Sequence, residues 1–121
     1  MMAELKTGEL NVTDLLREKY KKFGKGWITL MEFPPEIFMD VCSESLRILI
    51  NEMEYSCIYI TLSKPFNELD NIFKSKDVDT NKLFYIDAIS QMYGEKQTST
   101  KKCIYASGPL DIDSITVALH Q

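Results

Sequence analysis

The amino-acid sequence predicts an α/β fold built on a mainly parallel sheet. Strand-like and helix-like segments alternate along the 121 residues, as in β-α-β units joined by right-handed crossovers. The strand-like segments are apolar almost throughout, which is expected where helices cover both faces of a sheet. Proline also follows three of these segments, and proline is well suited to the first turn of a helix.

Size and composition predict a single globular domain. The chain is 45% hydrophobic and carries a net charge of −4, and its length is sufficient for one hydrophobic core. We divide it into an N-terminal helical segment, residues 1–26, and an α/β domain, residues 27–121. Its apolar runs are too short for a membrane span, and no signal peptide is recognisable. The scattered cysteines Cys42, Cys57 and Cys103 indicate reduced thiols and a cytoplasmic protein.

The first half of the chain predicts two helices separated by a strand. A helix is expected from about Thr13 to Phe23, ended by Gly24 and Gly26. Trp27–Phe33 is rich in aromatic and β-branched residues and is predicted as the first strand. A longer helix with a wide apolar face is predicted from Pro35 to about Met53.

The second half predicts three more strands and two more helices. In chain order they are a strand over Cys57–Leu62, a short helix from Pro65 to about Ser75, a strand over Leu83–Ile89, a polar mobile loop over residues 91–102, a short strand over Cys103–Ala106, and a last helix that follows Pro109. The sheet is therefore expected to have about four strands.

Ligands of parallel sheets bind where the strands end. The polar side chains that could contact a nucleotide there are Thr61, Lys64, Asp87 and Ser107. A phosphate loop needs glycines and a lysine followed by serine or threonine, and none of the strand ends has this pattern. Asp87 follows four apolar residues, as a magnesium-binding carboxylate does in nucleotide hydrolases, but a helix-capping aspartate gives the same pattern. We favour the structural role.

The sequence gives no sign of a catalytic or metal centre. Its one histidine, His120, lies next to the C-terminus, so no Cys-His or Ser-His pair is expected. The cysteines do not have the spacing of metal ligands. We therefore predict no catalytic residue, no metal and no cofactor.

A basic and aromatic segment runs from Arg17 to Trp27. Such a mixture can bind a nucleic-acid backbone and stack bases, or it can form a solvated helix face with an apolar edge. The next segment, Met31–Glu54, holds six acidic residues against one arginine. This balance favours the second interpretation, argues against a nucleic-acid partner, and could attract a basic protein.

Three segments carry a family resemblance: Ile58–Phe66 (IYITLSKPF), Asp77–Asp87 (DVDTNKLFYID) and Cys103–Pro109 (CIYASGP). They resemble an archaeal family of uncharacterised, degenerate RecA/KaiC-like proteins that lack the phosphate-binding loop. The resemblance spans about Trp27 to Leu119. It implies a three-layer, mainly parallel sheet of the RecA-like, P-loop NTPase type, truncated to about four strands. The chain departs from the family at Asp77, where the family has glycine.

The resemblance implies a non-catalytic regulatory or protein-interaction domain with a degenerate nucleotide site. Two alternatives stay open: a weak ATP-binding protein that uses the strand-end residues, and a nucleic-acid accessory protein that uses the basic segment. Family members have a further strand after the last helix, whereas this chain stops at Gln121. Three interpretations are open: a shortened relative, a fragment, or a protomer that completes its sheet against another subunit. We favour self-association through the unpaired strand edges, and we expect no membrane partner.

Overall fold

The computed structural model describes residues 12–24, 26–93, 99–108 and 112–120. Its helices and strands are, in order, α1 (Val12–Lys22), a 3-10 turn (Pro35–Ile37), α2 (Phe38–Leu46) with a π-helical continuation (Arg47–Glu52), β1 (Cys57–Thr61), α3 (Phe66–Ser75), a 3-10 turn (Thr80–Lys82), β2 (Leu83–Asp87), a 3-10 turn (Ser90–Tyr93), β3 (Cys103–Tyr105) and α4 (Ile112–Leu119). Among the residues described, no helix is both long enough and apolar enough to cross a membrane.

The strands form a parallel sheet in the order β1-β2-β3. Thr61 at the end of β1 lies opposite Asp87 at the end of β2, and Asp87 lies opposite Tyr105 at the end of β3. The parallel α/β fold predicted from the sequence is therefore confirmed, as are three of its four strands. The architecture is compatible with a three-layer fold.

The predicted first strand, Trp27–Phe33, is wrong for the single chain, since these residues form no helix or strand. The sheet of the described residues accordingly has three strands instead of about four. One residue of the segment contacts α1, since Met31 Sδ lies 3.8 Å from the Tyr20 hydroxyl. The Trp27 ring is centred 5.6 Å from that of Phe23, the residue that follows α1. The segment has a strand-forming composition but stays outside the sheet and is largely exposed, which shows how strongly β propensity depends on context.

The main core lies between the sheet and the pair α2 and α3. Its buried members are Leu46, Ile50, Leu69, Phe73, Val78, Leu83, Tyr85 and Cys103. A second cluster joins α1 to α2 and consists of Leu16, Tyr20, Val41 and Ile48. The π-helical turn contributes Ile48 to one cluster and Ile50 to the other, so a single helix ties α1 to the sheet.

The other face of the sheet is only partly covered. Ile86 is buried there with Ala88 and Ala106. Ile58 and Ile60 of β1, in contrast, are 57% and 40% exposed. The expectation that helices cover both faces is therefore wrong for β1, because the helix that contacts this part of the sheet, α4, lies against β2.

Several sequence predictions fall partly outside the described residues. Of the N-terminal segment 1–26, residues 1–11 and Lys25 lie outside them. The loop predicted over 91–102 begins with part of the 3-10 turn Ser90–Tyr93, and residues 94–98 lie outside the described part. The same holds for residues 109–111, where the last helix was expected to begin.

Candidate functional site

The structure brings the four predicted strand-end residues to one end of the sheet, which we call the carboxyl end. Thr61 and Asp87 are neighbours in register on β1 and β2. Lys64 lies in the turn after β1, and Ser107 follows β3 by two residues. The parallel topology explains this grouping, because the carboxyl ends of parallel strands meet on the same side.

Asp87 is the most completely enclosed of the four, with 0% of its surface exposed. Its Oδ2 accepts hydrogen bonds from the backbone N–H of Phe66 at 2.9 Å and the hydroxyl of Ser90 at 2.5 Å. Its Oδ1 accepts from the backbone N–H groups of Ile89 at 2.9 Å and Ser90 at 2.8 Å. A carboxylate has about four acceptor positions, so these donors use the capacity of Asp87.

The hydrogen bond from Phe66 has a direct consequence for anion binding. Phe66 is the first residue of α3, and helix N-termini bind phosphate through their unpaired N–H groups and the positive end of the dipole. In this protein the carboxylate of Asp87 takes the Phe66 N–H. An incoming phosphate would lose this donor and meet a buried negative charge.

Thr61 is also committed to local structure. Its hydroxyl donates to the carbonyl oxygen of Lys64 at 2.7 Å and accepts from the N–H of Lys64 at 3.2 Å. Its own carbonyl accepts from the N–H of Ala88 at 3.0 Å. Thr61 is buried, and these bonds shape the turn that leads from β1 to α3.

Lys64 and Ser107 are the two predicted residues that reach solvent. The Lys64 ammonium lies 3.6 Å from a carboxylate oxygen of Glu68, and Ser107 is exposed beyond β3. The carboxyl end of the sheet thus presents one partly neutralised lysine and one serine, while its buried polar groups bind one another.

Sequence reasoning missed Ser90, which completes the shell of Asp87. The spacing Asp87-Ala88-Ile89-Ser90 was a usable signal, since an aspartate that accepts from N–H groups two and three residues later is a common turn motif. The partnership with Phe66 gives no such signal, because the two residues are 21 positions apart.

A second buried polar group lies in the core. The hydroxyl of Tyr85 donates to Asp70 Oδ1 at 3.1 Å, and the other oxygen of Asp70 lies 2.8 Å from the ammonium of Lys74. Burial and the nearby negative charge of Asp70 raise the pKa of Tyr85 above its usual range. Tyr85 is 1% exposed, so its hydroxyl serves packing and cannot reach a solvent-borne ligand.

The basic and aromatic segment is also engaged within the chain. Arg17 Nε lies 2.7 Å from Glu52 Oε1 and its Nη1 lies 2.7 Å from Asp14 Oδ1. Tyr20 is buried and donates its hydroxyl to Ser45 at 2.8 Å. The hydrogen bond from Arg17 holds the pKa of Glu52 below its usual range. These contacts fit the interpretation of a solvated helix face with an apolar edge.

The remaining titratable side chains do not assemble into a centre. His120 is exposed, with Nδ1 2.8 Å from the carbonyl oxygen of Thr116. In the described ranges, no three His, Cys, Asp or Glu side chains are grouped closely enough to hold a metal ion. Cys103 is buried, and its burial raises the pKa of its thiol to about 11, which disfavours the reactive thiolate.

A comparison of the chain with known protein families, with curated proteins and with solved structures finds no match. The functional argument therefore rests on the geometry of the carboxyl end and on the exposed surface of the sheet.

Proposed function

We propose that this chain is a non-catalytic, RecA/KaiC-like regulatory or protein-interaction domain that self-associates through the exposed edge of its sheet. The observation that carries the proposal is the hydrogen-bonded carboxylate of Asp87 at the start of α3. At the place where an α/β protein would bind a phosphate, this chain has an anion of its own.

The neighbouring groups support a degenerate nucleotide site. Thr61 holds the turn before α3, and the cation at this end, Lys64, lies beside Glu68. Gly108 after β3 is a single glycine, and none of the strand ends has the series of glycines with a lysine and a serine or threonine that wraps a phosphate. The described residues of the carboxyl end therefore stabilise the fold and form no built anion site.

The exposed surface of β1 supports an interaction role. Ile58, Ile60 and Leu62 are exposed, and within the described residues β1 pairs with β2 alone. Parallel sheets are normally covered on both faces, and a contiguous exposed apolar patch marks an interaction surface. A second copy of the chain would cover both the patch and the open strand edge.

The proposal is tested by measuring mass and melting temperature with and without ATP and Mg²⁺. We expect light scattering to show a dimer whose mass and melting temperature do not respond to millimolar nucleotide. Lys64→Ala is compared with Lys76→Ala, since Lys76 is a second ion-paired lysine on the surface, 3.3 Å from Asp40. A melting temperature that ATP raises in the parent chain and in Lys76→Ala, but not in Lys64→Ala, would establish the weak nucleotide-binding alternative instead.

A further inference from the structure

We propose that the segment Trp27–Phe33 of one copy adds as a strand along the open edge of β1 in a second copy, and that the exchange is reciprocal within a two-fold dimer. This inference rests on the proposed self-association and names the surfaces that form it. The segment is not a strand of its own sheet. In the dimer its backbone would form hydrogen bonds with β1 of the partner copy, as in β-strand addition.

The first observation is the unused backbone of the segment. Its backbone hydrogen bond to the described part of the chain runs from the N–H of Trp27 to the carbonyl of Gly24, at 3.3 Å. The N–H and C=O groups from Ile28 to Phe33 therefore have no ladder partner among the described residues. Backbone groups in a folded protein are nearly always paired with protein or water. The exposed groups of this segment can pair with water in the single chain, and a neighbouring strand can replace that water.

The second observation is the exposure pattern of the segment. Met31 contacts Tyr20 of α1, and Trp27 contacts Phe23 just after α1. Ile28, in contrast, is 100% exposed and Leu30 is 85% exposed. Ile28 and Leu30 therefore present an exposed apolar surface, which ends at the charged and exposed Glu32. Its residues are also strong strand formers. The segment therefore has the composition of a buried strand, but its apolar side chains are exposed to solvent.

The third observation is the matching character of the receiving edge. β1 and the residues that follow it, Cys57–Ser63, contain no charge and no proline. Natural proteins usually protect an open strand edge with lysine, proline or a covering element. Here Ile58, Ile60 and Leu62 are exposed instead, so the edge is compatible with strand addition.

Charge and symmetry identify the occupant as a second copy. Each chain carries a net charge of −4, so an interface between copies must avoid charged side chains. Cys57–Ser63 is uncharged, and Trp27–Phe33 carries one charged residue, Glu32, near its end. Every copy carries one segment and one edge, and a two-fold axis therefore forms the contact twice. Because the contact forms twice, the buried area doubles, which helps to reach the roughly 800 Å² of surface that each partner buries in a stable interface.

The test compares the two halves of the contact by concentration-dependent light scattering. Ile28→Lys with Leu30→Lys alters the segment, and Ile58→Lys alters the edge. Met92→Lys is the control, because Met92 lies outside both surfaces and is 59% exposed, close to the 57% of Ile58. We expect each interface variant to weaken dimerisation by at least about tenfold and the control to leave it unchanged. All four positions are exposed, and circular dichroism verifies that the variants fold.

Mixing the variants separates this pairing from its alternatives. A segment variant and an edge variant retain one intact contact between them, so their mixture should recover dimers that neither forms alone. Amide exchange at residues 28–32 should also slow on dimerisation. A segment variant that dimerises normally, while Ile58→Lys does not, would overturn the inference in favour of β1-to-β1 pairing and leave self-association standing. A parent chain that is monomeric at all concentrations would refute the proposed self-association itself.

Discussion

The carboxylate of Asp87 accepts the first N–H of α3, from Phe66, at 2.9 Å. This hydrogen bond joins the end of the central strand to the start of a helix that precedes it by 21 residues. With Ser90 and Ile89 it fixes the whole turn that follows β2. The aspartate that a sequence pattern could assign to magnesium therefore organises the fold.

Replacing Asp87 should severely destabilise the protein. Asp87→Ala leaves buried N–H groups without an acceptor, and we expect it to lower the free energy of unfolding by about 3–5 kcal/mol. Denaturant unfolding measures this loss. The matched control is Asp79→Ala, since Asp79 is exposed and accepts a single backbone N–H, from Asn81 at 3.2 Å. Its expected cost is about 0.5–1 kcal/mol, and equal costs at the two positions would contradict the assigned role.

Alanine substitutions at two serines of α2 should change the free energy of unfolding in opposite directions. The hydroxyl of Ser43 is buried and has no hydrogen-bond partner among the described residues, so Ser43→Ala should stabilise the protein by about 0.5–2 kcal/mol. The hydroxyl of Ser45 accepts from Tyr20 at 2.8 Å, so Ser45→Ala should destabilise it by about 1 kcal/mol. Thermal and denaturant unfolding of both variants give the signs, and a destabilising Ser43→Ala would show that its hydroxyl is satisfied.

Removing the hydroxyl of Tyr85 should affect stability and its pH dependence. Tyr85→Phe leaves Asp70 without a buried donor and should cost about 1–2 kcal/mol near neutral pH. Tyr59→Phe is the comparison, because the Tyr59 hydroxyl reaches Cys42 Sγ at 4.0 Å and no other hydrogen-bond partner among the described residues, and a smaller cost is expected.

The alkaline behaviour of Tyr85 follows from its raised pKa. Above about pH 10 the tyrosine of the unfolded chain ionises while the folded one stays neutral. Stability is therefore complete below that pH and falls as the pH rises further. Unfolding measured from pH 8 to 11 should show a shallower decline in Tyr85→Phe than in the parent, and parallel curves would argue against this assignment.

Acid should weaken the attachment of α1. Hydrogen bonding to Arg17 holds the pKa of Glu52 below its model-peptide value of 4.5, so this contribution to stability is present above that pH. It is lost as the pH falls below 4.5 through the folded pKa. In Glu52→Gln the melting temperature should therefore fall less than in the parent as the pH is lowered from 5 to about 3. Glu68→Gln is the control and should keep the parent slope, because the Glu68 carboxylate lies 3.6 Å from the Lys64 ammonium and has no other ion pair in the described ranges.

Local pattern predicted much of this structure. The helices over Val12–Lys22 and Phe66–Ser75 were recognisable from apolar spacing and from the residues that end them. The strands at Cys57, Leu83 and Cys103 were recognisable as apolar runs between turn residues. The parallel arrangement followed from their alternation with helices. The structural role favoured for Asp87 is borne out by its hydrogen bonds, whereas nucleotide binding at the carboxyl end stays untested.

The sequence by itself determined where the three strands of the sheet and the helices beside them form, because apolar period and turn chemistry act over a few neighbouring residues. Contacts between distant residues determine that Trp27–Phe33 stays outside the sheet, with Met31 against Tyr20 of α1. They also determine that β1 keeps an exposed face and that Asp87 reaches Phe66. Each of these outcomes depends on which distant surfaces bury one another, and a strand-forming composition is compatible with more than one such partner.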